Sequence, residues 1–135
     1  MLDNKEPTMP QQQGFNYDAA AENLRKRFEK RRRQRLVLHE KADRDSMAII
    51  TMIIKEFNPL RIYQWGSLLH PEKFDENSDI DIAVEGVESA EAWVALTGKA
   101  MDMTSFSLDI VALENVNPLD RGSIVNKGKL VYERK

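Results

Sequence analysis

The chain has 135 residues, 41% hydrophobic and 31% charged, with a formal net charge of −2, which suits one ordinary core and gives no whole-chain argument for binding nucleic acid or membrane. It contains no cysteine, which excludes disulfides and thiolate metal sites. No apolar run reaches the roughly 18 residues of a membrane span and the N-terminus has no apolar signal segment, so a cytoplasmic protein without membrane contact is expected.

Residues 1–16 carry two prolines, a glycine and a glutamine run, and read as a flexible tail. A helical pattern begins at Asp18, placed as N-cap. Within it, RKRFEKRRRQR at residues 25–35 holds eight basic residues and one acid. Such a run is either a solvated helix or a contact surface for RNA or an acidic partner. Ala42, Met47, Ile49, Ile50, Ile53, Ile54 and Phe57 then recur at three- and four-residue steps, an amphipathic helix that Pro59 ends. The polar stretch 18–35 either continues this helix or forms a separate one.

LRIYQW reads as a first strand stopping at Gly66-Ser67, followed by a polar loop over residues 68–78. DIDIAVEG is a second strand, with Asp79, Asp81 and Ala83 on one face and Ile80, Ile82 and Val84 on the other. SAEAWVALTGKAMDMTS has helical spacing, with Ser89 as its cap. FSLDIVAL is a third strand interrupted by Asp109. A short helix after Pro118, a turn at Asn126-Lys127-Gly128 and a final strand, KLVYE, complete the chain. Strands alternating with helices predict an α/β fold with a mixed sheet flanked by helices.

Three aspartates inside strands are the main anomaly, because Asp is a poor strand former and a half-buried carboxylate is costly unless paired, hydrogen-bonded or metal-bound. Neighbouring carboxylates also raise one another's pKa. A divalent cation removes both penalties, and oxygen ligands without His or Cys favour Mg²⁺. The plainer alternative has Asp79 capping a turn and Asp81 facing solvent on an edge strand. The preceding Gly-Ser weakens that alternative: a glycine after a strand allows close backbone approach, and the amides and hydroxyl can hold a phosphate oxygen.

YQWGS, SDIDIAVEG, SLDIVAL and the ending IVNKGKLVYER together resemble the nucleotidyltransferase superfamily of polymerase beta-like fold, and most of all its minimal nucleotidyltransferases. The resemblance covers about residues 45–135, leaving 1–16 as tail and 17–44 as a basic helical extension. Gly66, Ser67, Asp79, Asp81 and Asp109 match the family motif of Gly-Ser, a spacer, Asp-x-Asp and a third acid on a later strand. Trp65 replaces a usual phenylalanine, and Leu68 and Leu69 stand where an arginine often follows Gly-Ser.

The resemblance implies transfer of AMP, or another nucleoside monophosphate, from an NTP to an acceptor hydroxyl. ATP would be the substrate and two Mg²⁺ ions the cofactors. Asp79 and Asp81 would be ligands of both ions and Asp109 of one, with Asp109 also serving as general base, while Gly66 and Ser67 would bind the triphosphate. It further implies an antitoxin role beside a HEPN-domain partner, modified on a tyrosine. A small-molecule nucleotidyltransferase of aminoglycoside type and a non-catalytic antitoxin acting by occlusion are the alternatives. Among the other residues, His70, Lys99, Arg121 and Lys127 are possible phosphate contacts that read more simply as surface groups. His39 is assigned no role, Trp65, Trp93 and Tyr63 are expected in packing, and Asp75, Glu76 and Glu85 are expected not to be ligands.

Overall fold

The computed structural model describes residues 14–135; most of the expected tail, residues 1–13, lies outside the described residues. The chain forms two compact units that divide between Arg33 and Gln34. Helix α1 (Tyr17–Phe57) supplies residues to both, so the polar and amphipathic stretches are one continuous helix. Its cap is Asn16, whose Oδ1 accepts from the Ala19 amide at 3.0 Å. Asp18, expected as the cap, lies instead in the first turn, where its charge suits the helix dipole. Both residue types cap helices well, so residue type alone does not separate the two positions. In the first unit, every α1 residue from Ala21 to Arg33 is exposed.

In the second unit, α1 buries Ala42, Ser46, Ile49, Ile50, Met52 and Ile53, one stripe at helical spacing. The helix stops at Phe57 because Asn58 takes φ +46°, a conformation asparagine tolerates, and Pro59 follows. A four-stranded sheet comes next, built from β1 (Arg61–Trp65), β2 (Asp79–Glu85), β3 (Ser107–Ala112) and β4 (Lys129–Glu133). Its order is β3-β2-β1-β4. β1 pairs antiparallel with β2 and β4, and β2 pairs parallel with β3, so the sheet is mixed as expected. The parallel pair needs a crossover, which α2 (Ala90–Met101) supplies. Ser89 caps α2 by accepting from the Ala92 amide at 3.0 Å, as its position predicts.

Alternation along the strands separates two cores. Ile62, Ile80, Ile82 and Val84 pack with the α1 stripe and with Leu96 and Ala100. Tyr63 and Ala83 face the other way, toward Leu113 and Ile124. Ile124 lies on α3 (Pro118–Lys127), capped by Asn117, which accepts from the Asp120 amide at 2.9 Å. α3 continues through Lys127, so the expected turn contracts to Gly128 alone before β4. A Cβ on Gly128 would come within 2.8 Å of the Gln64 carbonyl oxygen on β1. The one buried polar pair between α1 and the sheet is satisfied: Gln64 Nε2 donates to Ser46 Oγ at 2.8 Å.

The spacer between Gly-Ser and β2 is more ordered than a polar loop. It contains two 3₁₀ turns, Gly66–Leu69 and Pro71–Lys73, and buries Leu68 and Phe74. His39 of α1 anchors it: its Nε2–H donates to the Leu68 carbonyl at 2.6 Å, and its ring packs edge-on to Phe74 at 5.7 Å. Arg35 Nε donates to the Glu72 carbonyl at 3.0 Å. His39, given no role by the sequence, therefore holds the segment that carries Gly66 and Ser67.

Candidate active site

β2 and β3 run parallel with Asp79 opposite Ser107 and Asp81 opposite Asp109. Register partners in neighbouring strands share a face, as do residues two apart in one strand. All three aspartates therefore lie on the sheet face that carries Ala83 and Tyr63, away from the α1 core. They form a gradient: Asp81 is buried at 8% exposure, Asp79 is half-buried and Asp109 is exposed. Edge position explains it, since β2 is flanked on both sides whereas β3 closes the sheet.

The buried member bears the electrostatic consequence. Burial pushes the Asp81 carboxyl up to about 7, and the charges of Asp109 and then Asp79 add to the rise. All three influences act in the same direction. The alternative of a solvent-facing Asp81 on an edge strand does not hold, because β2 is an inner strand.

Gly66 touches this carboxylate. Its φ is +75°, a region L side chains rarely adopt, and any Cβ there would collide with Asp81 Oδ2. The Gly-Ser turn is thus shaped around Asp81, which pairs in register with Trp65 immediately before the turn. The 3₁₀ turn that starts at Gly66 has no side-chain cap, so its first amides keep donors available to an anion.

Beside the aspartates is a cleft of about 730 Å³, bounded by the Gly66 turn, β3 and α3. Gly66 and Asp109 line it together with Trp65, His70, Ser123 and Lys127, while Ser67, Asp79 and Asp81 do not. Lys127 is the single lysine or arginine in this lining. Arg121 instead donates to the Glu114 carbonyl at 2.9 Å, and Lys99 pairs with Glu56 at 2.6 Å, so neither serves the cleft. Asp75 shapes a turn by accepting from the Asn77 amide, and Glu85 pairs with Arg61 at 2.9 Å. Trp65 adds a feature the sequence did not signal: its indole Nε1–H is buried without an acceptor, the one such side-chain atom among the described residues.

A divalent cation would find its donors among these carboxylates. Among the described residues no three His, Cys, Asp or Glu side chains form a ready-made metal cluster. Asp81 and Asp109 nevertheless place two oxygen donors on facing strands, and the uncompensated charge on Asp81 is what a hard cation would neutralise. Mg²⁺ is commonly held by one or two carboxylates with substrate phosphates completing the shell, rather than by an all-protein cage. The residues fit that mode.

A family model described as polymerase beta, nucleotidyltransferase matches residues 48–135. No curated protein is a significant relative by sequence. The fold is similar to that of a toxin–antitoxin crystal structure, MntA-HepT, at 23% identity and TM-score 0.52, covering 68% of this chain and 73% of that one. A toxin–antitoxin structure with AMP-PNP matches at 24% identity and TM-score 0.54, over 65% and 73% of the two chains. A variant of the MntA complex with two Asp-to-Glu substitutions matches at 22% identity and TM-score 0.55, over 67% and 74%. These structural likenesses speak for the fold. The matched residues include all four strands, the Gly-Ser turn and the three aspartates, and the chain belongs to the polymerase beta nucleotidyltransferase family.

Proposed function

We propose that the protein is a minimal-type nucleotidyltransferase that moves AMP from ATP to an acceptor hydroxyl. The observation that carries this reading is the buried, uncompensated Asp81 facing Asp109 across a strand pair and touching Gly66. Asp79 and Asp81 would hold two magnesium ions and Asp109 one of them. When bound, the ions would supply the positive charge that steadies the phosphates during in-line displacement at the α-phosphorus. Gly66 and Ser67 would bind the triphosphate through amide and hydroxyl donors. Asp109, on the cleft wall, would receive the proton of the attacking hydroxyl. The cleft would seat the rest of the nucleotide or the acceptor, and most of the acceleration would come from positioning and electrostatics.

The proposed setting is the cytoplasm, as the antitoxin of a toxin–antitoxin pair. Structures of similar fold are toxin–antitoxin complexes, and a HEPN-domain toxin modified on a tyrosine is what the sequence resemblance implies. No helix of the described chain is long and apolar enough to cross a membrane. The test is incubation of the purified protein with α-labelled ATP, Mg²⁺ and its co-expressed partner. Label on a partner tyrosine, lost with Asp81→Asn, is the expected result. A tight complex without label would replace the enzyme by an occluding antitoxin; in a parallel incubation with an aminoglycoside in place of the partner, label on the aminoglycoside would make the protein a small-molecule transferase.

A further inference from the structure

The basic segment of α1 takes no part in the nucleotide site and has a geometry of its own. Residues 21–34 are all exposed. Lys30, Arg31, Arg32 and Arg33 are consecutive, and at about 100° per residue they fan over roughly 300° of the helix circumference. Arg25, Lys26 and Arg27 extend the same all-round distribution, whereas Arg35 is half-buried and held by the Glu72 carbonyl. Two of the eight cations have carboxylate partners among the described residues: Arg25 with Glu22, and Arg33 with Glu29 at 3.8 Å. Both pairs are exposed and hence weak, readily exchanged for a stronger anion.

A flat acidic protein surface meets one side of a helix and would leave most of these charges facing water. A groove with anionic walls on both sides meets them all. We propose that residues 25–33 of α1 bind double-helical DNA, with the helix seated in the major groove. Two magnitudes support this occupant. The groove is about 12 Å wide, and a helix with side chains measures about 10–12 Å. The segment is about 13 Å long, a length over which duplex DNA carries roughly eight phosphate charges, against seven cations here. A-form RNA presents a deep, narrow major groove that does not admit such a helix. Contact is to phosphate, so binding is indifferent to sequence.

The test is fluorescence anisotropy of the full-length protein with a labelled 24-base-pair DNA of arbitrary sequence. Binding is expected to weaken with salt at a log–log slope of about −4.5 to −6, as release of counterions from roughly five to seven phosphates requires. The variant K30Q/R31Q/R32Q/R33Q should bind at least about 100-fold more weakly at 100 mM salt. It should keep wild-type helix content by circular dichroism and wild-type ATP binding. R31K/R32K/R33K, which preserves the charge, should bind like wild type. The inference is overturned by absence of DNA binding at 50 mM salt, by equal binding of wild type and the glutamine variant, or by tighter binding of duplex RNA, single strands or polyglutamate than of duplex DNA. Because nucleotide transfer is read separately, either result stands whether or not the proposed chemistry does.

Discussion

The two faces of β2 make opposite contributions. One presents Ile80, Ile82 and Val84, none more than 1% exposed, to α1 and α2. The other presents Asp79, Asp81 and Ala83, and its central carboxyl is held near neutrality by burial and like charge. A single alternating strand thus supports the fold from one side and carries an electrostatic cost on the other. Stability and chemistry are separable by residue parity, and substitutions one position apart should report on different properties.

The largest expected effect is on chemistry. Asp81→Asn should lower Mg²⁺-dependent AMP transfer by on the order of 10³-fold or more, with the folded structure intact; labelled-ATP assays beside a denaturation curve check both halves. Transfer at the wild-type rate would remove Asp81 from the site. Next, Ile82→Ala on the opposite face should destabilise by about 2–4 kcal/mol in urea unfolding, while activity per folded molecule stays near wild type. Equal loss of activity would show that the two faces are not independent.

A pH series sharpens the same contrast. The Asp81 carboxyl lies at about 7 when folded and at 3.8 as a free side chain. Below about pH 4 both states hold the proton and the group costs nothing. As pH rises to 7 the unfolded chain releases the proton more readily, so its contribution to stability falls across this window and stays low above it. Without metal, the stability advantage of Asp81→Asn over wild type should therefore grow between about pH 4 and 7, by roughly 2–4 kcal/mol at most. A constant difference across that range would contradict the assigned burial. The smallest effect is at a distance: His39→Ala should cost about 1–2 kcal/mol, since it leaves the Leu68 carbonyl without its donor and undercuts Phe74. Hydrogen exchange at residues 66–74 should rise with it.

The sequence foretold this alternation well because strand parity is a strong signal: two aspartates among β-branched residues show their face without further information. Gly66 and Asp109 were legible for a related reason, since each interrupts a strand pattern where packing alone offers no cause. Contacts between distant segments were not legible. His39 lies 29 positions from Leu68, and nothing local marks its ring as a donor to that carbonyl. The 3₁₀ turns of the spacer are too short to show a period, and the register that sets Asp81 against Asp109 appears only when β3 is placed beside β2. The choice of Asn16 over Asp18 as cap was not legible either, since asparagine and aspartate cap helices about equally well.

Gly128 bears on the cleft in a way its position far from the aspartates conceals. It is the entire joint between α3, one wall of the cleft, and β4, and a methyl group there would press on the Gln64 carbonyl oxygen and the Trp65 Cβ, 3.3 Å away. Any bulk at this point would also meet the Ile124 carbonyl oxygen of α3 itself, so something on both sides of the joint would have to shift. The close seating of α3 beside β1 therefore depends on a side chain that is not there.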